Sequence, residues 1–173
     1  LYGYNTDYYA LKRLLIEKKL NIKKTRILLL GNGGVARTSY EVLKDLKFKI
    51  VYLSSRNLKK YKNWKLKKNH KLIVWKKRNI INANTLINAT PIGMVNVTKE
   101  KIPIFINSLN KFLNIIDFTV NEKKNSLEKK SKKLKIDYTS GFKLSFYQGI
   151  KQFNIYTQKR INEKKLMKML KFI

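Results

Sequence analysis

The chain has 173 residues, 43% of them apolar, which suits one large domain, or one domain with attached elements, built around a real core. It holds no run of about 18 apolar residues to cross a bilayer, no signal-peptide pattern and no cysteine, so membrane-spanning and secreted classes recede. A soluble, reducing, cytoplasmic setting is the default. Lys+Arg 40 against Asp+Glu 10 give a net charge of +30, which alone would attract nucleic acid or anionic lipid.

A nucleic-acid binder usually gathers its basic residues on one face with aromatics interleaved. Here lysine pairs such as Lys18-Lys19, Lys67-Lys68 and Lys132-Lys133 recur in nearly every segment, beside abundant Asn and Ile. All three residue types have A/T-rich codons, and a biased genome accounts for them without a polyanion. Nucleic-acid binding therefore stands only as the alternative.

In chain order, Asn5, Thr6 and Asp7 offer capping side chains to a helix whose Ala10, Leu11, Leu14 and Leu15 share one face. "RILLL" (26–30) is a continuous apolar run suited to a strand buried on both sides of a parallel sheet. After the glycines, Val35, Ser39, Val42, Leu43 and Leu46 recur at helical spacing, and "KIVYLSS" reads as a second strand. "KLIVW", "TLINAT", "LNIIDF" and "KIDYTS" read as further strands. "NSLEKKSKKL" reads as a solvated helix, and "KLSFYQGIKQFNIYTQ" and "NEKKLMKMLKF" as two closing helices. Between Lys76 and Thr85 there is too little chain for a full crossover helix, so that connection is expected to be short or irregular. The fold class expected is α/β, a Rossmann-like, doubly wound, mainly parallel sheet with helices on both faces. His70, alone between Asn69 and Lys71, is expected at the surface, and no metal site is expected.

In the fingerprint G-x-G-x-x-G/A, the first glycine makes a tight turn, the second admits a pyrophosphate to the backbone, and the third small residue packs helix on strand. Gly31, Gly33 and Ala36 occupy these places, and a helix starting near Gly34 would aim its free N–H groups and dipole at the phosphates. An enzyme selecting NAD normally ends its second strand with Asp or Glu. This chain has "LSSRN" instead, in which Arg56 could lie against a 2′-phosphate, Ser55 donate to it and Lys60 add charge. NADP is the cofactor expected.

Four motifs in sequence order resemble the shikimate dehydrogenase family: "GYNTD" at 3–7, "GNGGVAR" at 31–37 followed by "SSR", "NATPIGM" at 88–94, and "GFKLSFYQGIKQF" at 141–153. The resemblance implies NADP-dependent reduction of 3-dehydroshikimate to shikimate, on the route to chorismate and aromatic amino acids, or the related reaction on quinate or another small hydroxy acid. It implies that Asp7 contacts the substrate's hydroxyls and works beside a catalytic lysine outside this chain, and that Gln148 also touches substrate. Gly31, Asn32, Gly33, Gly34 and Val35 match the phosphate loop, and Ser55, Arg56 and Lys60 the 2′-phosphate contacts. Thr90, Pro91 and Met94 match the loop beside the cofactor, and Phe118 and Gly141 lie near the nicotinamide in that match. The division implied is 1–20 as a helix linking from an upstream substrate domain, 21–140 as the NADP-binding domain, and 141–173 as helices returning toward the substrate side. The chain departs from the pattern at Val120, where the family has a Tyr, at Asn125, where it has a Thr, and at Lys143 and Leu144 in place of Gly and Met. A lysine at 143 is expected to crowd the nicotinamide pocket.

Overall fold

A computed structural model describes residues 3–97 and 101–170. Helix α1 (Thr6–Glu17) starts where the Asn5 side chain accepts from the Tyr8 backbone N–H at 2.9 Å. Ala10, Leu11, Leu14 and Leu15 are its buried face. Strand β1 (Arg26–Leu30) is followed by α2 (Gly34–Asp45) and β2 (Ile50–Ser55). Then come β3 (His70–Val74), β4 (Thr85–Asn88), β5 (Asn114–Asp117), α3 (Ser126–Lys133) and β6 (Asp137–Thr139). Helices α4 (Gly141–Thr157) and α5 (Glu163–Leu170) close the order.

The six strands form one sheet in the order β3-β2-β1-β4-β5-β6, with every pairing parallel. β1 lies at its centre, which explains a five-residue run without a polar face: Ile27 and Leu29 point into one core and Leu28 and Leu30 into the other, all four fully buried. The two cores differ. One is roofed by α1, α2 and α4, whose Leu11, Leu14, Tyr40, Leu43, Leu144 and Tyr147 pack onto Ile27, Leu29, Val51 and Leu53. The other is roofed by α3 and by an irregular stretch carrying a 3-10 turn at Ile106–Lys111, through Ile104, Leu109, Phe112 and Leu127. A 3-10 turn at Trp75–Lys77 is the only regular element between β3 and β4, as the short connection required.

α1 and α4 belong to the same core as the sheet. α5 is tied to α1 by a bidentate ion pair from Arg13 to Glu163, with Nη1 to Oε1 at 2.9 Å. Among the described residues no helix is long and apolar enough to cross a membrane.

His70 overturns the surface expectation, being only 6% exposed. Its Nε2–H donates to the Phe48 carbonyl (3.1 Å) and its Nδ1 accepts from the Tyr40 hydroxyl (2.9 Å), which itself accepts from the Lys67 backbone N–H (3.0 Å). A polar ring between Asn69 and Lys71 in sequence is buried because the first residue of β3 points inward at the helix-roofed core, where Tyr40 of α2 supplies the partner.

Candidate functional site

The order β3-β2-β1-β4-β5-β6 reverses its direction of winding between β1 and β4, so the loops leaving those two strands part and open a crevice at the carboxyl ends. A cleft of about 390 Å³ lies there, lined by Gly31, Asn32 and Gly33 after β1, by Ser55, Arg56, Asn57 and Lys60 after β2, by Trp75 after β3, and by Ala89, Thr90, Pro91 and Ile92 after β4. Eight of the residues expected at a cofactor thus line one cavity: Gly31, Asn32, Gly33, Ser55, Arg56, Lys60, Thr90 and Pro91.

Gly31 is held at φ 113°, a conformation that disfavours any side chain, and a Cβ there would come within 2.6 Å of the Ala89 carbonyl oxygen. Its N–H donates to the Ser54 carbonyl (2.9 Å) and its carbonyl accepts from the Tyr61 hydroxyl (2.7 Å). Tyr61 is buried beneath the turn, and burial pushes its pKa up to about 12, so the hydroxyl keeps its proton for Gly31. Gly33 is the N-cap of α2, gives no side-chain cap, and has nothing within 4 Å of where a Cβ would stand. The first N–H groups of α2, on Gly34 and Val35, therefore begin a helix whose positive end meets open space. A pyrophosphate suits this cradle: it supplies acceptors for the uncapped first N–H groups of α2, and it needs the room that the bare Gly33 backbone leaves.

Ser55 is 5% exposed, and its hydroxyl donates to the Asn57 carbonyl (3.0 Å) while accepting from Asn32 Nδ2 (3.0 Å). In this arrangement Ser55 and Asn32 brace the glycine turn against the loop after β2. The cations left open to the cleft are Arg56 and Lys60, both exposed.

The loop after β4 is built by Asn88, which sequence reasoning did not single out. Its Oδ1 accepts from the Thr90 N–H (3.2 Å) and hydroxyl (2.7 Å), and its Nδ2 donates to the Ile92 carbonyl (3.0 Å) and to Asp117 Oδ1 (2.9 Å). Asp117, completely buried, also accepts from the Thr119 N–H (3.0 Å), Asn125 Nδ2 (3.0 Å) and the Tyr138 hydroxyl (2.9 Å). Burial first, then the Asp117 charge, raises the Tyr138 pKa and keeps that hydroxyl a donor. One carboxylate thus pins the loops after β4 and β5 to β6. The only sequence signal was an acidic residue ending an apolar strand. Asn125 is part of the knot, donating to Thr119 Oγ1 as well (3.0 Å) and capping α3 through the Glu128 N–H (2.8 Å).

Five of the expected cofactor residues do not line the cleft. Gly34 and Val35 follow it in the first turn of α2. Met94 lines a neighbouring hollow with Lys101, Lys123, Lys124 and Lys129. Phe118 packs against the helix-roofed core, and Gly141 opens α4 so close to the loop after β5 that a Cβ would fall 2.4 Å from the Thr119 carbonyl oxygen. Asp7 and Gln148 sit on neighbouring helices, α1 and α4, and Gln152 Nε2 donates to Thr6 Oγ1 (3.4 Å) within a turn of both. Burial raises the Asp7 pKa, and among the described residues its carboxylate has no hydrogen-bond partner, because Asn5 takes the capping role. Val120 is exposed, with no polar group to offer a ligand. Lys143 does not crowd the cleft: its ammonium lies 5.8 Å from the Tyr147 ring centroid, and the side chain lines a hollow with Glu17, Lys18 and Asp137 by the far end of α1.

No family model matches the chain. It is 34% identical over 163 residues to a shikimate dehydrogenase (NADP(+)) of Methanococcus maripaludis, covering 90% of this chain and 58% of the relative. A shikimate dehydrogenase (NADP(+)) of Clostridium botulinum is 31% identical over 157 residues, covering 90% of this chain and 60% of that one. The chain therefore spans less than two thirds of the curated relatives it matches. Among solved structures, a shikimate 5-dehydrogenase-like protein superposes with a TM-score of 0.84 at 22% identity, covering 93% of this chain and 59% of its own. A chorismate mutase/shikimate 5-dehydrogenase fusion protein from Clostridium acetobutylicum gives 0.83 at 24%, covering 98% and 62%. These likenesses fix the fold as that of shikimate dehydrogenases over the matched region.

Proposed function

We propose, from the likeness to shikimate dehydrogenases that runs through 90% of its length, that this chain is the NADP-binding portion of an enzyme reducing 3-dehydroshikimate to shikimate, in the cytoplasm, on the route to chorismate and aromatic amino acids. The observation that carries the proposal is the joining, in one cleft at the switch point, of the glycine turn, the cations Arg56 and Lys60, and the Thr90–Pro91 loop. Within it, residues 21–140 bind cofactor, 1–20 link to a substrate-binding domain encoded outside these residues, and 141–173 return toward the substrate.

The backbone of Gly31 to Val35 holds the pyrophosphate, and Arg56 with Lys60 holds the 2′-phosphate. Bound NADPH supplies the hydride, and this chain orients it. Asp7, its pKa raised by burial and its carboxylate unpartnered among the described residues, suits the exchange of a proton beside a lysine that the resemblance assigns outside these residues. Gln148, a half-buried amide on the adjoining helix, offers both a donor and an acceptor to a polyhydroxylated substrate.

The test compares cofactors. The chain should bind NADPH more tightly than NADH, and Arg56→Ala should weaken NADPH by about tenfold to a hundredfold while leaving NADH nearly unchanged, because a charge-assisted contact to phosphate is worth about 1.5–3 kcal/mol. Equal losses for both would make Arg56 a bystander. With the preceding domain of a relative supplied, turnover should depend on 3-dehydroshikimate and fall about 10²–10⁴-fold in Asp7→Ala. A clear preference for quinate would move the substrate assignment.

A further inference from the structure

Three kinds of surface line the cleft. The glycine turn offers backbone donors and Arg56 with Lys60 offers charge, while Trp75 after β3 and Ala89, Pro91 and Ile92 after β4 contribute the apolar lining. In a 2′-phosphorylated adenosine the ribose sends its C5′ arm to the pyrophosphate, its C2′ arm to the phosphate and its C1′ arm to the base. With the first two directions taken by the glycine turn and the cations, the base is left with the apolar lining.

We infer that Trp75 is the adenine-binding face of this cleft, an assignment that rests on the cleft being the NADP site proposed above. The indole is the largest π surface in the lining, and a purine stacks on such a surface whatever its hydrogen-bonding edge. It is also held in advance of binding. The Arg78 guanidinium carbon lies 3.9 Å from the ring centroid, and Arg78, 8% exposed, donates from Nε to the Pro103 carbonyl (2.7 Å) and from Nη1 to the Trp75 carbonyl (2.8 Å). One side of the ring is therefore occupied by a fixed cation, while other surface of the same side chain lines the cleft. A ring already immobilised loses little entropy when a base is laid on it.

The chain's second tryptophan gives the experiment its control. Trp64 is 9% exposed and packed between Tyr40 and Tyr61, with ring centroids 5.7 and 4.7 Å away, so a ligand in the cleft does not touch it. Adenosine 2′,5′-bisphosphate titrated into the 173-residue chain should change the tryptophan fluorescence, and Trp75→Phe should abolish that change while calorimetric affinity stays within about threefold. Trp75→Ala should weaken the bisphosphate by about tenfold or more, yet leave inorganic pyrophosphate, which has no base, binding as before. The assignment is overturned if the wild-type chain binds the bisphosphate without a signal from Trp75, or if Trp75→Ala binds it within about twofold of wild type. In both cases the cofactor reading stands. A wild-type chain that binds neither the bisphosphate nor NADP(+) refutes that reading and this assignment together.

Discussion

The carboxyl edge of the sheet is polar on both sides of β1, and the two sides use their polar groups in opposite ways. After β1 and β2, the free α2 N-terminus, Arg56 and Lys60 face a cleft. From the end of β5 to β6, Asp117, Asn125, Thr119 and Tyr138 bond to one another and to Asn88, leaving Asp117 with no exposure. Open groups await a ligand and contribute little to folding without one. Closed groups fix the shape of the loops beside the cleft, and their removal leaves buried donors with no acceptor. The same strand-end position can therefore be binding surface or scaffold, and burial with partner count tells which.

The largest effect should come from breaking the closed side. Asp117→Ala leaves four donors, from Asn88, Thr119, Asn125 and Tyr138, facing an apolar void. A loss of about 3–5 kcal/mol in urea unfolding is expected, enough to unfold many domains of this size. Asp117→Asn keeps the volume but turns one oxygen into a donor, and should recover only part of it. A loss under about 1 kcal/mol in Asp117→Ala would mean that the knot is ornamental and that the contrast between the two sides is false.

Two glycines sharpen the comparison within the open side. Gly31→Ala puts a Cβ 2.6 Å from the Ala89 carbonyl at a positive φ, so it should cost about 1–3 kcal/mol of stability and NADPH binding together. At Gly33 a Cβ meets no protein atom within 4 Å, so Gly33→Val should leave the melting temperature within a few degrees, while NADPH retention against competing DNA at moderate salt is lost. Matching stability losses in both variants would show that Gly33 is a structural turn rather than an opening for phosphate.

How much of this was legible in the sequence follows from how local each cause is. The glycine turn, the buried face of α1 and the short link after β3 are set by residues within about a dozen positions of one another, and the pattern displayed them. The brace from Tyr61 to Gly31 spans 30 positions, and that from Asn88 to Asp117 spans 29. Such pairs meet only because parallel strands align their carboxyl ends, and no periodicity announces which side chains will then face each other. The direction of the Lys143 side chain was hidden for a related reason. Its neighbour Gly141 starts α4 hard against the Thr119 carbonyl, and the phase this fixes turns residue 143 toward Tyr147 and Glu17. Trp75 read as the end of a strand, and its place in the cleft depends on β3 lying beside β2.

The smallest expected effect concerns a closed group on the opposite edge of the sheet, and it is read by pH instead of ligand. His70 accepts from Tyr40 at Nδ1 and donates to Phe48 from Nε2, an arrangement that requires the neutral ring. Burial, opposed by the bond to the Phe48 carbonyl and helped by the charges of Lys67 and Lys44, holds its pKa below the ordinary value. For a histidine so depressed, the folded state binds fewer protons than the unfolded chain. Its contribution is complete above about pH 6.5, the pKa of a free histidine, and is lost as pH falls toward the folded value, at no more than about 1.4 kcal/mol per pH unit. The chain has one histidine, and its carboxylates ordinarily titrate lower, so a urea midpoint that falls between pH 7.5 and 5.5 reports mainly this ring. His70→Asn should start lower at pH 7.5, having lost the Tyr40 and Phe48 contacts, and then run flat across the same range. NADPH affinity at pH 7.5 should be unchanged, since His70 lies outside the cleft. A slope that survives the substitution would assign the pH dependence elsewhere, and a lost cofactor affinity would mean that the closed groups do reach the open side.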